Sequence, residues 1–399
     1  MLRLALSFTV LVTALAAACS SDSGPQNDGP PPPAYPMINE QNAAYTVNVT
    51  VGGAQSFDVT VDTGSTTLAI AAAACGGQCT GVTPLWTPDS TATATGGSAS
   101  SEYFDGTSWS GPVYSDSVGV TGDPNVVPKM KFAAISSQNG FFRPDEPAEG
   151  ILGFGSTPLA IPGTDSYVSE RVDNQFPSVF AFQLCPENGT LWFGGADKTH
   201  EVSDEQYTAL AAIDDNQPFY LFDVASASLD GHDLGFAEPA VPDTGTTMMV
   251  LESATYNALV SAIENSDGWK STFGAEPFPT LQCSATTSHS KNEIDAALPQ
   301  LQITVKDLDG KPFTLSLPAT SSYLLQMGTS YCSDIADGGQ DLGGITILGD
   351  AFMRSFITVY DTENMKIGFA PQKNCTFPTG REAPTQPWVP YLHGHPWHR

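Results

Sequence analysis

The chain has 399 residues, 41% of them hydrophobic, enough to bury one large core or two of ordinary size. Only 15% are charged, yet the formal net charge is −28, because 43 Asp and Glu face 15 Lys and Arg. That balance argues against nucleic acid or an anionic membrane surface as a partner; it fits work in acid, or simple solubility or a saline habitat.

Residues 1–19 read as a secretory signal. Arg3 supplies a charged n-region, and Leu4 to Ala18 form an apolar stretch too short to span a bilayer. The stretch ends Leu15-Ala16-Ala17-Ala18-Cys19, resembling a bacterial lipoprotein box whose Leu stands one position too far from the Cys. Lipidation of Cys19 is the expectation, with ordinary cleavage after Ala-x-Ala as the alternative. In the bacterial sorting rule this resembles, Ser20 permits transfer to an outer membrane, so the protein is expected as a lipid-anchored monomer of the cell envelope or, alternatively, secreted. With Cys19 lipidated, Cys75, Cys79, Cys185, Cys283, Cys332 and Cys375 remain. An even count in an exported chain points to three disulfides among 15 pairings.

Residues 20–40 read as a disordered tether, most clearly over 20–36 with Pro30 to Pro33. Strand alternation starts at Tyr45, Val47, Val49 and Val51, turns at Gly52-Gly53, and resumes at Phe57, Val59 and Val61. It runs into Asp62-Thr63-Gly64-Ser65, followed by Leu68, Ala69 and Ile70. Cys75-x-x-x-Cys79 has no Cys/His pair nearby and reads as a small disulfide loop rather than a metal half-site; no metal or other cofactor is expected. Between Ser101 and Trp109, aromatics surround Asp105-Gly106, a hairpin cue. Glu149-Gly150-Ile151-Leu152-Gly153 follows.

The pattern then repeats. Ala240 and Val241 lead into Asp243-Thr244-Gly245-Thr246, with Met248, Met249 and Val250 after it, and Ile345-Thr346-Ile347-Leu348-Gly349 stands further on. The best helix candidate is Ala254–Ile263, with apolar Ala254, Ala258, Leu259 and Ile263. The period is too long for a solenoid and reads as two related β-lobes, 41–195 and 196–375, with a crossover near 185–220. The tail, 376–399, carries His393, His395 and His398. It reads as an extended surface segment, with weak metal binding as the other possibility.

Average composition puts Asp-Thr-Gly-Ser/Thr by chance in roughly one chain of this length in a hundred. One copy would be an ordinary turn; two, each between apolar runs, point to paired carboxyls. Hydrolysing an amide without a covalent intermediate takes a base to activate water and an acid to protonate the leaving nitrogen. Two carboxyls in contact supply both, because like charges that close cannot both ionise and one proton is shared.

These motifs, with Trp86-Thr87-Pro88-Asp89-Ser90, Gly189 to Gly195, and Ile357-Thr358-Val359-Tyr360-Asp361 running on to Ile367-Gly368-Phe369-Ala370, resemble the pepsin-like aspartic endopeptidases over about residues 40–375. The resemblance implies an all-β bilobal fold with a cleft between the lobes, polypeptide substrates, and Asp62 and Asp243 as the catalytic dyad. It implies that Ser65 and Thr246 bond the outer carboxylate oxygens, that Thr63 and Thr244 bond across to the opposite loop, and that Gly64 and Gly245 allow backbone N–H groups to approach the carboxylates. Ile151-Leu152-Gly153 and Ile347-Leu348-Gly349 would pack behind the loops. Tyr103 matches the tyrosine of a flap over the substrate, Phe142 a residue of the main specificity pocket, and Phe219 with Tyr220 aromatics across the cleft. These would favour cleavage between bulky apolar residues. Cys75–Cys79, Cys283–Cys332 and Cys185–Cys375 are the pairs implied.

Two departures stand out. Ala69 occupies the place of a Trp that, in animal pepsins, bonds the flap tyrosine. Pro242 precedes Asp243 where a residue with a free N–H is usual. No Lys stands before Lys129, so the basic prosegment of the family has no counterpart, and export and pH are expected to limit activity instead. A non-catalytic binding or inhibitor protein on the same fold is the alternative. A two-carboxylate glycosidase, which needs wider spacing, does not fit twin symmetric loops.

Overall fold

A computed structural model describes residues 30–375 apart from 41–42, 104, 143–147, 237, 280–282, 328–329, 340–341 and 343. The signal, Cys19, most of the tether and the histidine tail lie outside the described residues. The first half supplies β1 (Ala34–Glu40), β2 (Ala44–Val51), β3 (Gln55–Asp62), β4 (Leu68–Ala71), β5 (Thr93–Glu102), β6 (Ser108–Val120), β7 (Val127–Ile135), β8 (Ser137–Asn139), β9 (Gly150–Gly153), helix α1 (Tyr167–Asp173), β10 (Val179–Leu184) and β11 (Asn188–Phe193). The second adds β12 (Gln206–Ala209), β13 (Val224–Leu229), β14 (His232–Asp233), β15 (Ala240–Pro242), β16 (Met249–Leu251), helices α2 (Ser253–Asn265) and α3 (Asp267–Phe273), β17 (Ala285–Thr286) and α4 (Lys291–Ala297). It ends with β18 (Leu301–Lys306), β19 (Pro312–Leu317), β20 (Leu324–Met327), β21 (Ser330–Ser333), β22 (Ile335–Asp337), β23 (Thr346–Leu348), α5 (Asp350–Met353), β24 (Phe356–Asp361) and β25 (Lys366–Pro371). The helix expected at 254–263 is α2, which buries Thr255, Leu259 and Ile263. Among the described residues no helix is long and apolar enough to cross a membrane.

Fourteen strands share one sheet, ordered β12-β25-β24-β10-β11-β1-β2-β3-β9-β4-β7-β6-β5, with β8 beside β6. One expectation is corrected here. The tether does not reach residue 40: Ala34–Glu40 is a strand, bonded to β2 on one side and β11 on the other, with Tyr35 and Met37 buried. Its alternation is short and interrupted by Pro36, so the local sequence hides it; the free edges of β2 and β11 recruit it. The sheet runs on across residue 195. β24 and β25, from the end of the chain, pair through β10 with the first half, so the boundary at 195/196 divides the chain but not the sheet.

The internal repeat is a repeat of strand pairing. In the first half β3 runs parallel to β9, β9 antiparallel to β4, and β4 parallel to β7. In the second half β15 runs parallel to β23, β23 antiparallel to β16, and β16 parallel to β22. Both copies put Ile-Leu-Gly beside the strand that ends in the acidic loop, with Val61 opposite Leu152 and Val241 opposite Ile347. Three disulfides join described residues: Cys75–Cys79, Cys283–Cys332, and Cys185–Cys375, the last joining the crossover to the segment after β25. Such bonds persist in an oxidising compartment and mark an exported protein.

Candidate active site

Each acidic loop folds back on its own carboxylate. Asp62 and Asp243 are both buried. The Gly64 N–H donates to Asp62 Oδ1 at 2.8 Å and the Ser65 hydroxyl to Oδ2 at 2.5 Å. The second loop repeats this, with Gly245 N–H on Asp243 Oδ1 at 3.0 Å and the Thr246 hydroxyl on Oδ2 at 2.7 Å. Hydrogen bonds to an ionised carboxylate are strong, so both loops hold their acids in one orientation.

The loops then bind each other. Thr63 N–H donates to Thr244 Oγ1, and Thr244 N–H to Thr63 Oγ1, each at 3.1 Å. The Thr63 hydroxyl donates onward to the Pro242 carbonyl at 3.0 Å, and the Thr244 hydroxyl to the Val61 carbonyl at 2.8 Å. All of these groups are buried, so each bond also spares a polar group from being orphaned. Gly245 lies directly on the opposite acid: a Cβ there would collide with the Asp62 carboxylate. The glycine is therefore needed for close approach rather than for an unusual backbone angle. Burial and the negative charge of Asp243 beside it push the Asp62 pKa well above the usual carboxylate range.

Behind the loops Ile151, Leu152, Ile347 and Leu348 are buried. Their glycines are forced by the packing. A Cβ on Gly153 would strike the Thr66 backbone, and one on Gly349 the carbonyls of Thr246 and Met248. Over the first loop, β5 and β6 form a hairpin with Tyr103 at its tip, near enough for the Asp62 charge to help raise the phenol pKa, after burial.

Two loops of matched geometry, clamped face to face with their acids in contact, agree with what sequence comparison finds. The family described as eukaryotic aspartyl protease matches residues 44–372. The chain belongs to that family. It is 29% identical over 331 residues to an aspartic protease of Phaffia rhodozyma, covering 82% of this chain and 76% of that one. It is 28% identical to penicillopepsin-3 of Penicillium janthinellum, covering 84% and 79%, and 28% identical to vacuolar protease A of Neurospora crassa, covering 85% and 81%. The protein is an aspartic-type endopeptidase with the bilobal all-β fold, and it acts on polypeptides.

The protease answers both departures. β15 is an edge strand of its sheet. Asp243 N–H points to β23 and bonds the Leu348 carbonyl at 3.0 Å, so the nitrogen of Pro242 faces away from β23, toward the side on which Ala240 bridges to Phe222, and costs the β15–β23 ladder no bond. The Pro242 carbonyl, by contrast, accepts from Thr63 and from the Tyr360 hydroxyl, at 3.0 and 2.9 Å. In place of the donor absent at Ala69, the Trp109 indole N–H donates to the Tyr103 hydroxyl at 2.9 Å. Sequence reasoning missed Trp109, although it stands only six residues beyond Tyr103.

Phe142 is half-buried, edge-on to Phe141 and packed beside the Cys75–Cys79 loop. Phe219 is half-buried against Leu221, Val241 and Ile347. Tyr220 does not face the cleft as expected. It is buried among Phe180 and Tyr360, and its hydroxyl donates to the Phe154 carbonyl at 3.1 Å, tying the crossover to the first half. Also unforeseen is a buried charged group behind the second loop. Asp334 pairs with Arg354, and Asp350 opens α5 with its N–H on the Thr246 carbonyl at 2.8 Å. Burial outweighs the guanidinium and raises Asp334 to about 6 and Asp350 well above the usual range. Among the described residues no cluster of His, Cys, Asp and Glu could hold a metal ion.

Proposed function

We propose that Asp62 and Asp243 are the catalytic dyad and that the enzyme works in acid. The observation that carries this is the pair of clamped carboxyls with the Asp62 pKa raised by burial and by its neighbour's charge, the condition in which two acids hold one proton between them. In the reaction the ionised carboxylate takes a proton from water as its oxygen bonds the scissile carbonyl carbon, while the shared proton passes to the carbonyl oxygen. The tetrahedral intermediate then collapses: the ionised carboxylate takes a proton from one of the intermediate's two hydroxyls, the C=O bond re-forms, the C–N bond breaks with its electrons staying on nitrogen, and the carboxyl protonates that nitrogen, leaving one proton on the dyad. The pair titrates as a unit, so acid and base are roles of the dyad and not of either residue.

Tyr103 closes over the substrate from the hairpin tip. Phe142 and Phe219, half-buried in separate apolar clusters, line pockets for bulky apolar side chains flanking the cleaved bond. The enzyme acts as a monomer held by a lipid on Cys19 at a bacterial cell envelope, with residues up to 33 as its tether. The test is cleavage of denatured haemoglobin from pH 3 to 8, wild type beside Asp62→Ala. Acid-optimal cleavage lost in the variant supports the reading; equal cleavage by both proteins would sink it.

A further inference from the structure

We propose that Trp109 is a positioning residue for Tyr103, so that this protease locks its flap tyrosine from within the flap hairpin and not from the body of the lobe; the proposal rests on the peptidase reading above. Trp109 stands near the start of β6, opposite Ser101 of β5 on one side and Gln138 of β8 on the other, and its ring is buried. Six residues earlier, Tyr103 closes the tip by donating its N–H to the Thr107 carbonyl at 2.8 Å. Asp105 Oδ1 braces that tip by accepting from the Thr107 N–H and hydroxyl, at 2.9 and 2.7 Å. The Tyr103 ring stacks on Phe141, with centroids 5.6 Å apart and planes 19° from parallel.

The chemistry of the pair sets its direction. An indole N–H donates and never accepts, so the Tyr103 oxygen must be the acceptor and its own proton serves any further contact. A hydroxyl or water in the place of the indole could reverse that polarity. The contact is also internal to the hairpin. A donor on residue 69, in β4, would hold Tyr103 only while the flap lay against the lobe. Ala69 shares an apolar cluster with Tyr103, Trp109 and Phe141 and has no donor to offer. Trp109 moves with the strand pair that carries the tip, so the phenol keeps its orientation as the flap opens and shuts. Its effect is accordingly expected in kcat more than in KM.

Two measurements test this. The Trp109 indole N–H resonance, assigned by its loss in Trp109→Phe, is expected to exchange slowly in the wild type and to shift and exchange faster in Tyr103→Phe. In kinetics, Trp109→Phe is expected to lower kcat/KM about tenfold, mainly through kcat. Made in the Tyr103→Phe background, the same change is expected to alter it less than about twofold, since a residue acting through the hydroxyl has nothing left to act on. Equal losses in both backgrounds, or an indole resonance indifferent to Tyr103→Phe, would overturn the proposal. If Trp109→Phe does not fold, the resonance in Tyr103→Phe decides alone, because that variant leaves the indole in place. A wild type that cleaves no polypeptide would overturn the peptidase reading and with it the kinetic role, while the resonance would still report the lock.

Discussion

The two acidic loops are near copies set in unlike surroundings. The first ends a strand in the interior of the 14-stranded sheet; the second ends an edge strand of a four-stranded sheet. Ser65 serves the first carboxylate and Thr246 the second, yet the bonds to each outer oxygen differ by only 0.2 Å, at 2.5 and 2.7 Å. What holds the carboxylates is therefore local: the loop's own N–H and hydroxyl, the opposing threonine, and the Ile-Leu-Gly strand behind. The wider sheet decides what else each loop tolerates. An edge strand accepts Pro242, and the second loop alone is backed by buried Asp334, Asp350 and Arg354.

If the loops are equivalent where chemistry happens, Asp62→Asn and Asp243→Asn should each lower kcat by roughly 10⁴-fold, the upper end for losing general acid–base catalysis. Substantial activity in one variant and not the other would break the comparison at its centre. Next in size, Gly153→Ala and Gly349→Ala should each cost about 3 kcal/mol in urea unfolding, because both methyl groups meet backbone. A loss confined to Gly153 would mean that the smaller sheet relaxes around its loop.

A third prediction separates the loops. Asp334 and Asp350 both have raised pKa values in the fold, so their stabilisation is complete below the ordinary carboxyl value of 3.8. It is lost as pH rises through about 6 for Asp334 and higher still for Asp350. The raised Asp62 acts in the same direction. Tm should fall by roughly 5 °C between pH 4 and pH 8, and Asp334→Asn should flatten that fall. A Tm that climbs over this range would contradict the assignment. The smallest effect is expected at the edge: Pro242→Val should change stability by no more than about 0.5 kcal/mol, as for a site whose N–H has no partner to regain. A loss of activity in Pro242→Val would show that the proline shapes the Asp243 loop.

Much of this molecule could be read in chain order. The Gly52-Gly53 turn, helix α2 and the hairpin around Asp105-Gly106 rest on local rules of period and turn chemistry, which need no partner. Both Asp-Thr-Gly loops were legible because the motif is rare and was doubled. β1 was not, since a proline-flanked seven-residue segment becomes a strand only when two edges wait for it. Tyr220 was misplaced because an aromatic beside the crossover looks alike whether it lines a cleft or fills a core.

The sequence carries the paired acidic motifs and the internal repeat, since motif and hydrophobic period are properties of neighbours along the chain. Tertiary structure alone decided which donor serves Tyr103, why Gly153, Gly245 and Gly349 admit no side chain, and how Pro242 is accommodated. Each of those depends on a contact between segments far apart in sequence or on which side of a strand faces its neighbour. Such contacts exist only after the chain has packed.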